Sequence, residues 1–268
     1  MSEHYEVYAI RYATLAKRTR RDNFIMPADQ HDAPMPLDYF VWAILNRNRT
    51  VVVDTGFEHK EGEKRGRKLT RLPREGLAML GIDAAKVKDV VITHLHYDHA
   101  GTLDDFPAAR FHLQEKELHY TTSRHMCHDP IRHAYAADHV CGMVRKLFEG
   151  RVAFHDGAAE IAPGISVHHV GGHTMGLQFV RVETARGPLV LCSDASHFYG
   201  NMLERSPFPI VFNMGEMLQG YETMRALAGS EEQMIPGHDP LVMERYAAPQ
   251  REMEGAVVRL DVGPRRPA

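Results

Sequence analysis

Nine short stretches of this chain alternate apolar with polar residues or gather β-branched ones, and each predicts a β-strand. They are Val7–Tyr12, Phe40–Leu45, Val51–Asp54, Val90–Thr93, Arg110–Leu113, Val152–His155, Ile165–Val170, Phe179–Glu183 and Leu189–Cys192. Longer stretches carry the helical period: Leu72–Leu80, Gln114–Ser123, Ile131–Phe148 and Met214–Leu227. In the third, Ala134, Ala137, Val140, Cys141, Val144 and Leu147–Phe148 recur every three or four residues and mark one apolar face. Gly150 follows as a C-terminal cap. Strands in two groups with helices between them point to two sheets sandwiched between helices. No repeat, low-complexity tract or linker divides the chain, so one domain over 1–268 is expected.

Composition narrows the function. Apolar residues make up 44% of 268 residues, ample for a sizeable core, and the net charge is −3. Nothing in that balance calls for nucleic acid or an anionic membrane as partner. No cationic segment followed by an apolar run opens the chain, and no stretch approaches the ~18 apolar residues of a membrane span. Cys127, Cys141 and Cys192 form no Cys-x-x-Cys pattern and are expected as reduced thiols of a cytoplasmic protein.

Histidine is the outlier, with 18 residues. Residues 94–99 read His-Leu-His-Tyr-Asp-His, directly after the apolar run Val90-Val91-Ile92. A strand running into a loop points residues i and i+2 to the same side. His94 and His96 can therefore grip one metal, while Asp98 and His99 on the following turn reach a second. Imidazole suits zinc, iron, copper or nickel, and a carboxylate hardens the site without excluding zinc. Six more histidines (His112, His119, His125, His128, His133, His139) repeat no ligand spacing. They read as a solvated helical surface rather than an extra metal site or a pocket wall. The segment Asn23–Tyr39 holds three prolines and cannot be a continuous helix. It reads either as a loop over the metal cleft, offering Phe24, Met26 or Tyr39 to a substrate, or as a loop closing the bottom of the first sheet.

His-x-His-x-Asp-His is accompanied, in order, by Asp54-Thr55-Gly56, Gly172-His173-Thr174, Ser193-Asp194 and Pro236-Gly237-His238. With these motifs the chain resembles the metallo-β-lactamase superfamily from about residue 38 to 240, and most closely its lactonase branch, the N-acyl homoserine lactonases. The resemblance implies an α/β fold: an αβ/βα sandwich, two mixed sheets flanked by helices, with metals in a cleft at one edge. It implies one metal held by His94, His96 and His173, a second held by Asp98, His99 and His238, and Asp194 bridging them. Asp54 would orient a ligand histidine through its free ring nitrogen. Two Zn2+ are the default, although Mn2+, Co2+ or Fe2+ can occupy the same donors.

The activity implied is that of a dinuclear metal-dependent hydrolase, a lactonase that opens a small lactone ring by attack of metal-activated water on its carbonyl. Asp98, His197 and Tyr199 are the candidate catalytic groups. In the acyl homoserine lactonases a tyrosine stands three residues after the bridging aspartate, where this chain has His197. An imidazole can still donate a hydrogen bond or, protonated, act as a general acid. Tyr199, two residues on, is a substitute. Met175-Gly176-Leu177 departs from a common Pro-Gly-His and would reshape the nearby wall. No Gly-x-Ser-x-Gly offers a serine nucleophile.

A thioester hydrolase resembling glyoxalase II uses the same seven ligands, but it needs basic groups for the glutathione carboxylates. Arg251, Arg259, Arg265 and Arg266 sit only in the C-terminal tail. A redox di-iron protein would carry a carboxylate at position 96, and a non-catalytic metal-binding module would not need every ligand intact. The expected partner is a small lactone or ester. The apolar face of Ile131–Phe148 is as open to a homodimer as to a core.

Overall fold

The computed structural model describes residues 4–26, 29 and 31–265. Its strands are β1 (Glu6–Leu15), β2 (Leu37–Leu45), β3 (Thr50–Val53), β4 (Lys68–Leu69), β5 (Asp89–Val91), β6 (Arg110–Gln114), β7 (Val152–His155), β8 (Ala158–Ala162), β9 (Ile165–His169), β10 (Gln178–Thr184), β11 (Gly187–Ser193), β12 (Met234–Pro236) and β13 (Val257–Arg259). They form two sheets. One has the order β13-β1-β2-β3-β5-β6-β7 with β4 against β1, and the other runs β12-β11-β10-β9-β8. Both are mixed: β3, β5, β6 and β7 are parallel neighbours, as are β11 and β12, while the remaining pairs are antiparallel.

Alternation in β2 builds the layers. Successive side chains of a strand face opposite ways, so Val41 and Ala43 pack among the flanking helices while Phe40, Trp42 and Ile44 pack toward the second sheet. The outer layer on the first sheet includes Leu77, Val140 and Met143. Met217, Tyr221 and Met224, from the helix Met214–Leu227, cover the second sheet. Helix, sheet, sheet and helix thus stack as the expected αβ/βα sandwich.

The nine expected strands and the helices near Leu72, Gln114 and Met214 are present within a few residues of their expected ends. The expected helix Ile131–Phe148 is not continuous. A short helix, Asp129–Arg132, is followed by an extended Ala136 before the helix Ala137–Phe148 begins. Tertiary donors claim the carbonyls between them: Tyr97 N–H donates to Ala134, and the Arg65 guanidinium donates to His133 and Tyr135. On that second helix Val140 and Met143 are buried, but Cys141 is exposed and Phe148 is 88% exposed, so neither belongs to the apolar face. Gly150 caps the helix with φ +72°, a conformation that costs glycine little. Strands β4, β8, β12 and β13 were not expected; three of them have two or three residues, and β8 reads Ala-Ala-Glu-Ile-Ala, a helix-like composition.

Candidate metal centre

Every inward-facing donor of the expected set stands just past the C-terminal end of a strand. His94, His96, Asp98 and His99 lie on the loop after β5, in the first sheet. His173 follows β9, Asp194 follows β11 and His238 follows β12, all in the second sheet. The two sheets therefore contribute to one buried cluster. The donor atoms of His94, His96, His173 and Asp194 lie within 4.8 Å of one another, and those of Asp98, His99 and His238 do likewise.

Asp194 stands between the two groups with one oxygen turned to each. Its Oδ2 is 3.8 Å from His94 Nε2 and 3.3 Å from His173 Nε2. Its Oδ1 is 3.4 Å from His99 Nε2 and 3.0 Å from His238 Nε2. Asp98 Oδ2 closes the second group, 3.7 Å from both of those imidazoles.

Hydrogen bonds behind the rings fix which nitrogen faces inward. His99 Nδ1 donates to Asp54 Oδ2 at 2.7 Å, His173 Nδ1 to the Ile210 carbonyl at 2.6 Å, and His238 Nδ1 to the Asp38 carbonyl at 2.7 Å. Each bond turns Nε2 toward the centre, the orientation metal-ligating histidines need. His96 differs by presenting Nδ1, which lies 3.0 Å from His94 Nε2 and 2.9 Å from His173 Nε2.

Asp54 also accepts from Thr93 N–H at 2.7 Å and Thr93 Oγ1 at 2.8 Å, while Ser193 Oγ donates to Thr93 Oγ1 at 2.8 Å. A hydroxyl chain thus ties both sheets to His99. Asp54 and Ser193 each take a left-handed backbone, φ 61° and 47°, rare for non-glycine residues.

Burial, reinforced by neighbouring imidazoles, holds His94 and His96 well below the usual histidine range. Burial also opposes charge on His99, yet Asp194, Asp54 and Asp98 push it well above that range. Burial would raise Asp194, but the surrounding histidines, His238 first, hold it well below the usual carboxylate range. The cluster fits a pair of divalent cations on its own atoms. His99 Nε2 and Asp194 Oδ1 are buried without a hydrogen-bond partner, and the ring nitrogens of His94 and His173 crowd His96 Nδ1 at 3.0 and 2.9 Å. Such donors are costly to bury unless something positive binds them. The N,O donor set suits zinc and also Mn2+, Co2+ or Fe2+.

The candidate catalytic residues fare differently. Asp98 is in the cluster. His197 is buried against it, stacked 3.4 Å from the Phe208 ring, with Nε2 2.9 Å from Asp194 Oδ2. Burial pulls its pKa down to about 3 despite Asp194, so the imidazole is neutral near pH 7 and the expected protonated acid is not the form this site holds. Tyr199 is a correction. It opens the helix Tyr199–Leu203, and its ring is buried in the apolar cluster around the second sheet under Arg245, 4.0 Å from the guanidinium carbon, and is not among the residues that line the cleft.

From the segment 23–39, Tyr39 on β2 does line the cleft. Phe24 is buried against Phe198 and Met26 is 74% exposed. Residues 27, 28 and 30 lie outside the described residues. The histidines of 112–139 do not form one solvated surface. His112 and His139 are buried, and His133 lines the cleft.

Two features had no sequence signal. Glu117, on the helix Glu115–Thr121, is fully buried and accepts from Leu95 N–H at 2.9 Å, Gly176 N–H at 3.0 Å, Thr174 Oγ1 at 2.6 Å and Tyr135 Oη at 3.4 Å. It thereby joins the loop of His94 and His96 to that of His173. Gly176 is required there, because a Cβ would stand 2.1 Å from Glu117 N. The second feature is the cleft wall. Arg18, Arg65 and Arg67 line a cavity of about 60 Å³ beside the donors. An adjoining lobe of about 200 Å³, lined by Ile131, Ile210, Val211 and Phe212 among others, shares His96, His133 and His173 with it.

The model of the metallo-β-lactamase superfamily matches residues 35–241. An N-acyl homoserine lactonase of Azorhizobium caulinodans is 29% identical over 176 residues, 60% of this chain and 61% of that relative. The chain thus spans under two thirds of that protein's length. An N-acyl homoserine lactonase of a Bacillus species is 25% identical over 222 residues, 76% of this chain and 82% of the relative. Among solved structures, a quorum-quenching N-acyl homoserine lactone lactonase superposes with a TM-score of 0.73 at 19% identity, covering 90% of this chain and 95% of its own. That likeness establishes the shared fold.

Proposed function

The chain belongs to the metallo-β-lactamase superfamily, and from that premise we propose that it is a dinuclear metal-dependent hydrolase, a lactonase that opens a small lactone ring. The observation that carries the reading is the placement of Asp194, with Oδ2 toward His94 and His173 and Oδ1 toward His99 and His238. Two divalent cations in such a cluster supply a nucleophilic water at neutral pH and Lewis acidity toward an ester carbonyl.

The protein's own groups do the rest. Asp54, Ile210 and Asp38 hold three imidazoles in the tautomer that turns Nε2 inward. Tyr39 accepts from Tyr97 Oη at 3.1 Å, which leaves its own hydroxyl proton to give, and burial pushes its pKa up to about 12. It is therefore a neutral donor for a substrate oxygen. His197, with its inward nitrogen taken by Asp194, orients that carboxylate. The lobe beside Phe212, where Ile131, Ile210 and Val211 also stand, accommodates the hydrocarbon part of a substrate.

Proton release against a panel of acyl homoserine lactones, simple γ- and δ-lactones, fused aromatic lactones and S-lactoylglutathione tests the proposal. Lactone turnover that a chelator abolishes and Zn2+ restores is the expected result. Activity on the thioester alone would move the protein to a glyoxalase II-like reading, and silence on every ester with both metals bound would overturn hydrolysis.

A further inference from the structure

Nothing in ring opening by this cluster requires arginine, yet two partly buried guanidiniums stand at the mouth of its cleft. Arg18 comes from the segment between β1 and β2, and Arg67 immediately precedes β4. Each is held in place by neutral acceptors. Arg18 Nε donates to Asn23 Oδ1 at 2.7 Å and an Nη donates to the Asp22 carbonyl. Arg67 Nε donates to Tyr97 Oη at 3.0 Å and Nη1 to the Arg65 carbonyl at 2.7 Å. Among the described residues neither guanidinium forms an ion pair with a carboxylate. Arg65 is different: it is bound to Glu61 and to the carbonyls of His133 and Tyr135, and so serves as a clamp. Burial, with the Arg67 charge acting in the same direction, draws the Arg18 pKa down against Asp22 and Tyr39. At Arg67 burial is outweighed by Tyr97, Tyr39 and Asp98, which hold its pKa above the ordinary value. Two guanidiniums that line one partly desolvated cleft repel one another, and an anion between them relieves that repulsion.

We propose that the natural substrate is an anionic lactone whose carboxylate, a group separate from the scissile ester, is bound by Arg18 and Arg67. The proposal rests on the hydrolase reading of the metal centre. A guanidinium is a planar fork matched to a carboxylate, and a fork whose direct bonds go to neutral acceptors leaves its remaining N–H donors for the ligand. The cavity between these arginines and the donors is only about 60 Å³, so ring and carboxylate belong to one compact molecule. Hydrolysis adds water across the acyl C–O bond: hydroxyl goes to the carbonyl carbon and a proton to the ring oxygen, giving a hydroxydicarboxylate. The arginines take no part in that bond change and act as specificity residues.

The test compares kcat/KM of the metal-loaded enzyme on γ-butyrolactone-γ-carboxylate and on its methyl ester. The free acid should be favoured by about thirtyfold, and in Arg18→Gln and Arg67→Gln the ratio of acid to ester should fall at least tenfold, mainly through KM of the acid. A ratio near one in the wild type, or one that both variants preserve, overturns the proposal. A second measurement needs no turnover. Calorimetric titration of the metal-loaded protein with glutarate and with its monoamide compares ligands that share one carboxylate and differ at the remote end. Glutarate should bind at least tenfold tighter, with the gap closed in Arg67→Gln. Equal binding overturns the anion site even if lactones are hydrolysed, and a gap that persists in an enzyme inactive on every lactone keeps the anion site while the hydrolase reading fails. Tighter binding of 3-phosphonopropionate than of glutarate would assign the site to a phosphoryl group and overturn the carboxylate.

Discussion

Replacing Glu117 by Gln changes one atom in a site that touches neither substrate nor cation, yet it should loosen the metal group of His94, His96 and His173. All four partners of the carboxylate are donors: Leu95 N–H and Tyr135 Oη on Oε1, Thr174 Oγ1 and Gly176 N–H on Oε2. An amide in either orientation turns its NH2 toward one of those pairs. The Tyr135 or Thr174 hydroxyl can rotate to accept, but a main-chain N–H cannot, so either Leu95 or Gly176 is left unpaired in the interior. A buried donor without a partner costs about 1–3 kcal/mol, and bonds to a charged acceptor lose strength when the charge goes. Relief of the desolvation that pushes the Glu117 pKa up offsets part of this. The balance is a loss of about 2 kcal/mol, or a fall in Tm of roughly 4–8 °C for a chain of this size.

Because Leu95 lies between His94 and His96 and Thr174 follows His173, displaced loops should also weaken metal binding by about 10–100-fold, the usual effect of losing a group that orients ligands. Thermal unfolding of the metal-free protein gives the first quantity, and metal content after dialysis against graded chelator gives the second. Thr174→Val, which removes only the 2.6 Å hydroxyl bond, should show the same pattern at about half the size. Full metal content and an unshifted Tm in Glu117→Gln would refute the argument that this carboxylate ties the two ligand loops together.

Two further substitutions probe the cluster itself. Asp194→Ala withdraws an oxygen from each metal group, so plasma emission spectroscopy should find at least one cation missing and proton-release assays nearly all proposed hydrolysis lost; two cations per chain at the wild-type rate would defeat its bridging position. His197→Gln should keep the metals and slow turnover about tenfold by loosening Asp194. Since burial holds that imidazole neutral, with a pKa near 3, the shape of the rate profile between pH 5 and 8 should be the same in variant and wild type. An acidic limb present in the wild type and lost in the variant would instead identify an imidazolium acid.

How much of this was readable in advance depends on how local each signal is. His94, His96, Asp98 and His99 share one loop, and their spacing alone announces two metal-facing pairs. His173, Asp194 and His238 are isolated in sequence and became legible only as members of an ordered set of motifs. Tyr199 was misplaced because two residues of spacing do not tell which way a helix start will turn its side chain. Glu117 and the arginines at 18 and 67 escaped for a different reason. A single glutamate on a short helix looks like solvent-facing charge, and the significance of Arg18 and Arg67 lies in the absence, among the described residues, of a carboxylate paired with either, which only the folded arrangement reveals. The broken helix before Ala137 is the same lesson, since the carbonyls that end it are claimed by Arg65 and Tyr97 from distant segments.

Each of the two donor groups draws atoms from both sheets: His94 and His96 meet His173, while Asp98 and His99 meet His238. A cation bound there is a rivet through two half-molecules as well as a reactive centre, so part of its binding energy becomes folding energy. Chemistry and integrity then share the same seven side chains, and evolution can alter none of them without risking both. The walls carry no such double duty. Arg18, Arg67, Ile131 and Phe212 stand on loops and short elements outside the rivet, where exchange of one residue redraws the ligand that is welcomed while the frame stays shut. A lineage built this way can diversify its diet without renegotiating its fold.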